Sequence, residues 1–218
     1  MIEAVIFDFD GTLAELTLNF TYLRREVEKI AERYVGAAAV RQLESLYIIE
    51  MIDEVNRMVG EEGLAFSEEA FMRLSSLEIE AASGKAVYPY TREVLRVLRE
   101  KGVKIGIITR NCMAALAKVF PDMEAYVDAV RTREHVREVK PKPGHMEAVL
   151  RALDVAGSGA LLVGDHPMDI LAGEAAGATT VGVLTGRTTR AEFERVGAGY
   201  VMDDIRSVVS LVDRNPRQ

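Results

Sequence analysis

Apolar, β-branched residues dominate residues 2 to 8 at the start of the chain. The run stops at Asp8, and Asp10 and Gly11 follow close behind. A short apolar run bounded by such a turn signal is typical of a buried β-strand that ends in a loop. The pattern therefore predicts a first strand whose carboxyl end carries two carboxylates.

Between about Asn19 and Gly84 the apolar residues recur at spacings of three and four positions. This period places them on one face of a helix, so the whole segment is predicted to be helical. Gly60 and Gly63 interrupt the pattern. Ser67, which acidic residues follow, is expected to cap the start of the next helix.

After Pro89 helical and strand patterns alternate. The predicted helices cover Thr91 to Glu100, Asn111 to Phe120, Gly144 to Leu153 and Met168 to Ala176, and the predicted strands cover Val103 to Thr109, Tyr126 to Val130, Ala160 to Gly164 and Thr180 to Val183. Such alternation implies right-handed βαβ crossovers and a parallel sheet with helices on both faces. The fold class is therefore expected to be α/β, with a doubly wound, Rossmann-like parallel sheet.

The long helical segment separates the first strand from the other strands. The simplest organisation is one α/β core domain, residues 1–15 and 86–218, with an α-helical cap domain, residues 16–85, inserted after the first strand. The tail from Arg214 to Gln218 is expected to be frayed.

Composition narrows the function classes. The 218 residues include 27 lysines and arginines against 34 aspartates and glutamates, a net charge of −7, which disfavours a nucleic-acid or membrane-surface binder. The single cysteine, Cys112, cannot form an intramolecular disulfide, and no apolar run is long enough for a membrane helix. We therefore expect a soluble cytoplasmic protein.

Polar residues collect where the predicted strands end. In a doubly wound sheet, ligands bind outside these carboxyl ends. Four strand ends carry candidate residues: Asp8 and Asp10, Thr109 to Asn111, Lys140 to Pro143, and Asp165 with Asp169. Grouped carboxylates repel one another unless a cation shares the site, and oxygen donors suit Mg²⁺. The sequence therefore predicts a magnesium site; the three histidines have no cysteine partner and no ligand spacing, which disfavours zinc.

These motifs identify a family. Asp8-Phe9-Asp10-Gly11-Thr12, then Thr109, then Lys140-Pro141-Lys142-Pro143, and finally Gly164-Asp165 with Asp169 occur in this order. The chain resembles the haloacid dehalogenase (HAD) superfamily of aspartyl-phosphate hydrolases, in the subclass with a helical cap between its first and second motifs. The resemblance covers nearly the whole chain.

The resemblance implies a role for each carboxylate. Asp8 would be the nucleophile that attacks phosphorus, and Asp10 the acid that protonates the leaving alcohol and then deprotonates water. The implied Mg²⁺ ligands are the side chains of Asp8 and Asp165 and the backbone carbonyl of Asp10. Asp169 would help to hold the metal or its waters.

Three further residues are candidates for binding the substrate phosphate. Thr109 would donate from its hydroxyl, and Lys140 would supply a fixed positive charge. Lys142 lies two residues away and could also reach the site, but Lys140 fits the Lys-Pro-x-Pro spacing better. Arg110 is included as a candidate, with a solvated surface position as its alternative.

The resemblance also separates possible activities. Haloacid dehalogenases lack an acid at the position of Asp10, because halide leaves without a proton, so dehalogenation is disfavoured. Phosphonate hydrolysis, which uses a cap lysine, is weakly supported because Lys29 is the only lysine between Asn19 and Gly84. A sugar phosphomutase stays open as an alternative. A phospho-accepting receiver domain is a weaker one, because receivers have no inserted cap.

The expected activity is Mg²⁺-dependent hydrolysis of a small phosphorylated metabolite through an aspartyl-phosphate. Similar-sized capped phosphatases make 2-phosphoglycolate the first candidate substrate. No nucleic-acid or membrane partner is expected. The sequence allows either a monomer or a homodimer.

Overall fold

The computed structural model describes residues 1–213 of the chain; the expected frayed tail and the last residues of the predicted core domain lie outside them. The chain divides into two compact units, one formed by residues 1–16 with the chain from residue 82 onward, the other by residues 17–81. None of the helices in residues 1–213 has the length and apolar character that crossing a membrane requires.

Six strands of the first unit form one sheet in the order β3-β2-β1-β4-β5-β6, and each pair of neighbours is parallel. They are β1 (Ala4–Phe7), β2 (Lys104–Ile108), β3 (Ala129–Arg131), β4 (Ala160–Gly164), β5 (Thr179–Val183) and β6 (Tyr200–Met202). β1 and β4 are buried along their whole length, as expected for apolar strands covered on both faces. The α/β fold class expected from the sequence is confirmed.

The strand order places the ligand-binding edge. It runs outward from β1 and β4 in opposite directions, so the order reverses between these two strands. At such a switch point the loops diverge and leave a crevice at the carboxyl ends of the strands. Asp8 and Asp165, the first residues after β1 and β4, therefore lie at the centre of the edge where a ligand is expected.

Helices α5 (Thr91–Glu100), α6 (Met113–Val119), α7 (Pro143–Leu153), α8 (Pro167–Ala175) and α9 (Arg190–Arg195) lie between strands of this unit, and α10 (Val209–Val212) follows β6. Four short 3-10 helices lie between them at Met123–Ala125, Arg133–His135, Gly157–Gly159 and Ile205–Val208. The apolar residues of α7 pack under the sheet in a cluster with residues of β1, β2 and β4. α7 consequently holds the preceding Lys140 segment against the carboxyl edge.

The second unit is helical. It contains α1 (Phe20–Val35), α2 (Ala37–Arg41), α3 (Ile48–Val59) and α4 (Gly63–Ala81), with a 3-10 helix at Gly60–Glu62. Apolar residues from all four helices form its own core. The expected cap at Ser67 is wrong, because α4 begins four residues earlier at Gly63.

Candidate active site

The first strand delivers Asp8 and Asp10 through a tight loop. The Asp8 N–H donates to the Val163 carbonyl of β4 at 2.8 Å, which continues the sheet by one residue. The Phe9 carbonyl then accepts the N–H groups of the three residues from Thr12 to Ala14, at 2.9 to 3.2 Å. Gly11 adopts φ +88°, a left-handed conformation that glycine allows at little cost. The loop therefore turns back at once and leaves the Asp8 side chain buried at the sheet edge.

Three of the four predicted carboxylates form one cluster. Carboxylate oxygens of Asp8, Asp165 and Asp169 all lie within 4.8 Å of one another, and the three side chains are buried. Asp10 contributes no side-chain oxygen to this group, which is compatible with the expectation that its backbone carbonyl is the ligand.

The electrostatics of this cluster suit a divalent cation. Burial raises the pKa of Asp8, although the adjacent Lys140 ammonium acts in the opposite direction. Burial also raises the pKa of Asp165, and the charges of Asp8 and Asp169 raise it further. A bound divalent ion would favour the charged carboxylates again, and a set of hard oxygen donors fits such an ion.

Lys140 is the lysine that lies inside the cluster. Its Nζ is 2.5 Å from Asp8 Oδ1 and 2.6 Å from Asp169 Oδ1, and its side chain is 2 % exposed. The two carboxylates raise the pKa of Lys140 despite its burial, so the ammonium keeps its charge. Lys142 is exposed and pairs with Glu138 at 3.2 Å. Of the two lysines, Lys140 is therefore the one that lies in the carboxylate cluster, and its role toward phosphate stays a prediction.

Asp169 is held by the start of α8. Its Oδ2 accepts the His166 N–H at 3.0 Å, while its Oδ1 contacts Lys140 Nζ. Met168 N–H in turn donates to His166 Nδ1 at 3.2 Å. The reciprocal cap at the helix start thus fixes one oxygen of Asp169 and directs the other to the cluster.

The loop after β2 brings Thr109 and Asn111 to the same edge. Thr109 is buried, and its Oγ1 accepts the Asn111 N–H at 3.1 Å. Asn111 Nδ2 donates to Asp10 Oδ2 at 3.1 Å, and its Oδ1 accepts the Cys112 N–H at 2.8 Å. The sequence placed Asn111 at a strand end and at the start of a predicted helix without assigning it a role, whereas the structure places its amide on a predicted catalytic carboxylate.

Arg110 lies beside Lys140. Its Nη1 donates to the Lys140 carbonyl, and its own carbonyl accepts a hydrogen bond from Arg133 Nη1 at 3.0 Å. Arg133 is itself buried. The guanidinium of Arg110 is therefore bound to the loop that carries the cluster lysine, and its expected role toward substrate stays a prediction.

The loop after β5 also reaches the site, which the sequence did not indicate. Thr185 Oγ1 donates to the Gly11 carbonyl at 2.5 Å. The next residue, Gly186, packs on Asp165 so closely that a Cβ there would lie 1.8 Å from Asp165 Oδ2. A Thr-Gly pair after a strand is an ordinary turn signal, so sequence alone offered no sign of these contacts.

Comparison with known proteins identifies the family. A family model described as "Hydrolase: haloacid dehalogenase-like hydrolase" matches residues 2–177. The chain belongs to this family, as its motifs indicated, and it is an enzyme of the hydrolase class.

Two curated relatives align along almost the whole chain. Pyrophosphatase PpaX of Bacillus mycoides (strain KBAB4) is 25 % identical over 228 residues, with 98 % of both chains covered. Phosphoglycolate phosphatase of Rhodospirillum rubrum is 29 % identical over 228 residues, with 95 % of this chain and 90 % of the relative covered.

A solved structure has the same fold. CbbY from Rhodobacter sphaeroides, crystallised in complex with phosphate, superposes with a TM-score of 0.67. It is 20 % identical, and the match covers 98 % of this chain and all of the other. At this identity the likeness supports the fold alone.

Proposed function

We propose that this hydrolase is a phosphatase that cleaves phosphate monoesters with the help of Mg²⁺ and an aspartyl-phosphate formed on Asp8. One observation carries the proposal: the buried Asp8 carboxylate lies in a cluster of three carboxylates and contacts the Lys140 ammonium at 2.5 Å. A carboxylate is thereby placed, with a fixed cation, at the edge of the sheet where ligands bind. Asp8 is the group that we assign as nucleophile.

Positive charge is what this nucleophile needs most. Both the Asp8 carboxylate and a phosphate monoester are anions, so their approach is repulsive without cations. Mg²⁺ held by Asp8, Asp165, Asp169 and the Asp10 carbonyl would supply most of the neutralisation. Lys140 supplies the remainder from within the protein.

Asp10 is proposed to move the protons. As an Asp8 oxygen bonds to phosphorus, the bond from phosphorus to the ester oxygen breaks, and Asp10 gives its proton to the leaving alkoxide. Asp10 then takes a proton from water, the water oxygen bonds to phosphorus, and the bond to Asp8 breaks, which releases phosphate. Asn111, 3.1 Å from Asp10 Oδ2, keeps this carboxyl oriented through both steps.

Thr109, Lys140 and Arg110 are proposed to bind the transferring phosphoryl group. Thr109 Oγ1 already accepts the Asn111 N–H, which leaves its own O–H to donate to a phosphoryl oxygen. Lys140 adds a charged donor. Arg110 follows Thr109 in the loop after β2, and its guanidinium contacts the Lys140 carbonyl. It would reach the phosphate from that loop.

The substrate is proposed to be a small phosphorylated metabolite. The names of two relatives, a phosphoglycolate phosphatase and a pyrophosphatase, support this class. We place the monoester 2-phosphoglycolate first; pyrophosphate, an anhydride whose leaving group is phosphate and not an alkoxide, comes second. A cytoplasmic location and a monomeric or homodimeric state stay predictions from the sequence.

Phosphate release from a panel of compounds tests the proposal. The panel contains p-nitrophenyl phosphate, 2-phosphoglycolate, pyrophosphate and several sugar phosphates, each with Mg²⁺ and with EDTA. We expect release that requires metal and that disappears in Asp8→Asn. Asp203→Asn, which changes a carboxylate that is 89 % exposed, is the matched control and should keep full activity.

Release that persists in EDTA or in folded Asp8→Asn would contradict the proposal. Absence of release from every compound by the folded wild-type protein would also contradict it. In that case phosphoryl transfer between sugar hydroxyls would be measured next, because a phosphomutase would retain Asp8 and Asp10 but exclude water.

A further inference from the structure

We propose that His145 and Arg110 are positioning residues that hold the backbone of Lys140 from its two sides, and so aim its ammonium between Asp8 and Asp169. The inference rests on the proposed function, in which Lys140 contacts the phosphoryl group. His145 lies in the first turn of α7, and neither the motifs nor the relatives assign it a role.

His145 holds the N–H side. The Lys140 N–H donates to His145 Nδ1 at 3.3 Å, and His145 Nε2 lies 2.9 Å from the Arg131 carbonyl oxygen. A carbonyl can only accept, so Nε2 carries the proton and Nδ1 carries a lone pair. The imidazole is fully buried, and the burial together with nearby cations keeps it neutral by lowering its pKa to about 3. The neutral Nε2–H tautomer is the form that can bridge these two backbone groups.

Arg110 holds the carbonyl side. Its guanidinium donates to the Lys140 carbonyl oxygen, which is the opposite end of the same residue's backbone. The Arg110 backbone is anchored in turn by the buried Arg133, whose Nη1 donates to the Arg110 carbonyl at 3.0 Å. Both contacts therefore connect Lys140 to residues at the carboxyl ends of β2 and β3.

The contacts of His145 and Arg110 with the Lys140 backbone, which we call the Lys140 clamp, matter because a lysine side chain is long and flexible. Four methylene groups separate the Lys140 backbone from Nζ, and freezing them costs conformational entropy. Nζ nevertheless sits within 2.6 Å of oxygens on two different carboxylates. A small displacement of the backbone would move the ammonium off one of them, and a misplacement of about 1 Å can cost about 100-fold in rate.

The hydrogen bond from His145 to the Arg131 carbonyl also links the motif at Thr109 to the motif at Lys140. The Arg131 carbonyl accepts the Thr109 N–H at 3.0 Å as well as His145 Nε2 at 2.9 Å. The positions of Thr109 and Lys140, two of the proposed phosphate donors, thus both depend on this one backbone oxygen. Loss of His145 would leave Thr109 in place and release only Lys140.

Variants of matched shape separate this role from simple packing. His145→Asn keeps an acceptor close to the position of Nδ1, whereas His145→Leu has a similar size to Asn but no acceptor. We expect His145→Leu and Arg110→Leu to lower kcat/KM on p-nitrophenyl phosphate about 10- to 100-fold. Inhibition by vanadate, which mimics the transferring phosphoryl group, should weaken by the same factor. His145→Asn should recover much of both.

Combination with Lys140→Met supplies the discriminating readout. If His145 acts through Lys140, His145→Leu should cost less than about twofold more once Lys140 is already methionine. A role of His145 in packing alone would instead multiply with the loss of Lys140. Multiplicative losses, or a His145→Leu variant with kcat/KM within twofold of wild type, would overturn the inference.

Amide hydrogen exchange tests the clamp without any activity. The Lys140 N–H should exchange slowly in the wild-type protein and in His145→Asn, and at least 10-fold faster in His145→Leu. Equal exchange in all three would overturn the inference, even if the wild-type enzyme is active. Absence of phosphate release by the wild type would instead contradict the proposed function and leave this exchange result to decide the clamp. If His145→Leu does not fold, His145→Asn and Arg110→Leu carry the comparison.

Discussion

Gly186 and Asp165 lie in such close contact that the glycine has no room for a methyl group. A Cβ at position 186 would fall 1.8 Å from Asp165 Oδ2 and 2.6 Å from its Cγ. The loop after β5 thus packs directly against the Asp165 carboxylate. Since Asp165 is a proposed metal ligand, the contact bears directly on metal affinity.

Gly186→Ala is expected to weaken metal binding, because the new methyl group must push the Asp165 carboxylate out of the cluster. Displacing a ligand through its surroundings typically costs about 10- to 100-fold in metal affinity. Titration of phosphate release with Mg²⁺ measures the change as a higher half-saturating concentration. Gly144→Ala is the control, because its Cβ would come no closer to another residue than 3.3 Å, the distance to the movable Glu138 carboxylate. An unchanged Mg²⁺ requirement in Gly186→Ala would contradict the prediction.

The two neighbouring lysines offer a matched pair of substitutions. Lys140→Met removes a buried ammonium that touches two carboxylates, and we expect a loss of about 100- to 1000-fold in kcat. Lys142→Met removes an exposed ammonium paired with Glu138, and kcat should stay within about twofold. Steady-state phosphate release measures both. Comparable losses in the two variants would show that Lys140 has no special role.

The cost of Asp10→Asn should depend on the leaving group. An alkyl ester such as 2-phosphoglycolate needs a proton on its leaving oxygen, so kcat should fall about 100- to 10 000-fold. The p-nitrophenolate ion leaves without a proton, so the first step on p-nitrophenyl phosphate should fall much less. Burst kinetics isolates that step. Equal losses in the first step for both substrates would argue against Asp10 as the leaving-group acid.

His145 should make the folded protein sensitive to acid. Burial, together with the charges of Lys140, Arg110 and His135, lowers its pKa from the usual 6.5 to about 3, although the hydrogen bond to the Arg131 carbonyl acts in the opposite direction. Between these values the unfolded chain binds a proton that the folded chain does not. The stability that the neutral imidazole contributes is therefore complete above pH 6.5 and falls by about 1.4 kcal/mol per pH unit below it.

Urea unfolding at several pH values between 7.5 and 4.5, run on wild type and His145→Asn, measures this effect. As the pH falls, the unfolding free energy of the wild-type protein should decrease more than that of His145→Asn, because asparagine does not titrate. A difference that stays constant across the range would contradict the low pKa of His145. The carboxylates of the cluster titrate in both proteins and largely cancel.

The regular elements of the sheet could be predicted because their signals are local. The runs that predicted β4 (Ala160–Gly164) and α5 (Thr91–Glu100) match the structure at both ends. β6 (Tyr200–Met202) was missed because three residues at the edge of the sheet, partly exposed, give no alternating pattern. α9 (Arg190–Arg195) was missed for a similar reason, since it has a single buried residue, Phe193.

The candidate site could be predicted only in part. The carboxylates were accessible to sequence reasoning because each follows a recognisable strand. Contacts between loops were not: Asn111 looks like the first residue of a helix, Thr185 like part of a turn, and His145 like an ordinary helical residue. Their contacts with Asp10, the Gly11 carbonyl and Lys140 come from distant parts of the chain. Sequence patterns describe neighbours along the chain, whereas these pairs become neighbours only when the sheet forms.

The Arg131 carbonyl oxygen, which accepts hydrogen bonds from both Thr109 and His145, limits how this site could be built into another protein. The atom that joins Thr109 to His145 is a main-chain oxygen, so the side chain at position 131 does not supply it. Copying the motif side chains onto another parallel sheet would therefore leave this connection behind. A graft would have to import the final residues of β3 as backbone, in register with β2, before any catalytic residue was added.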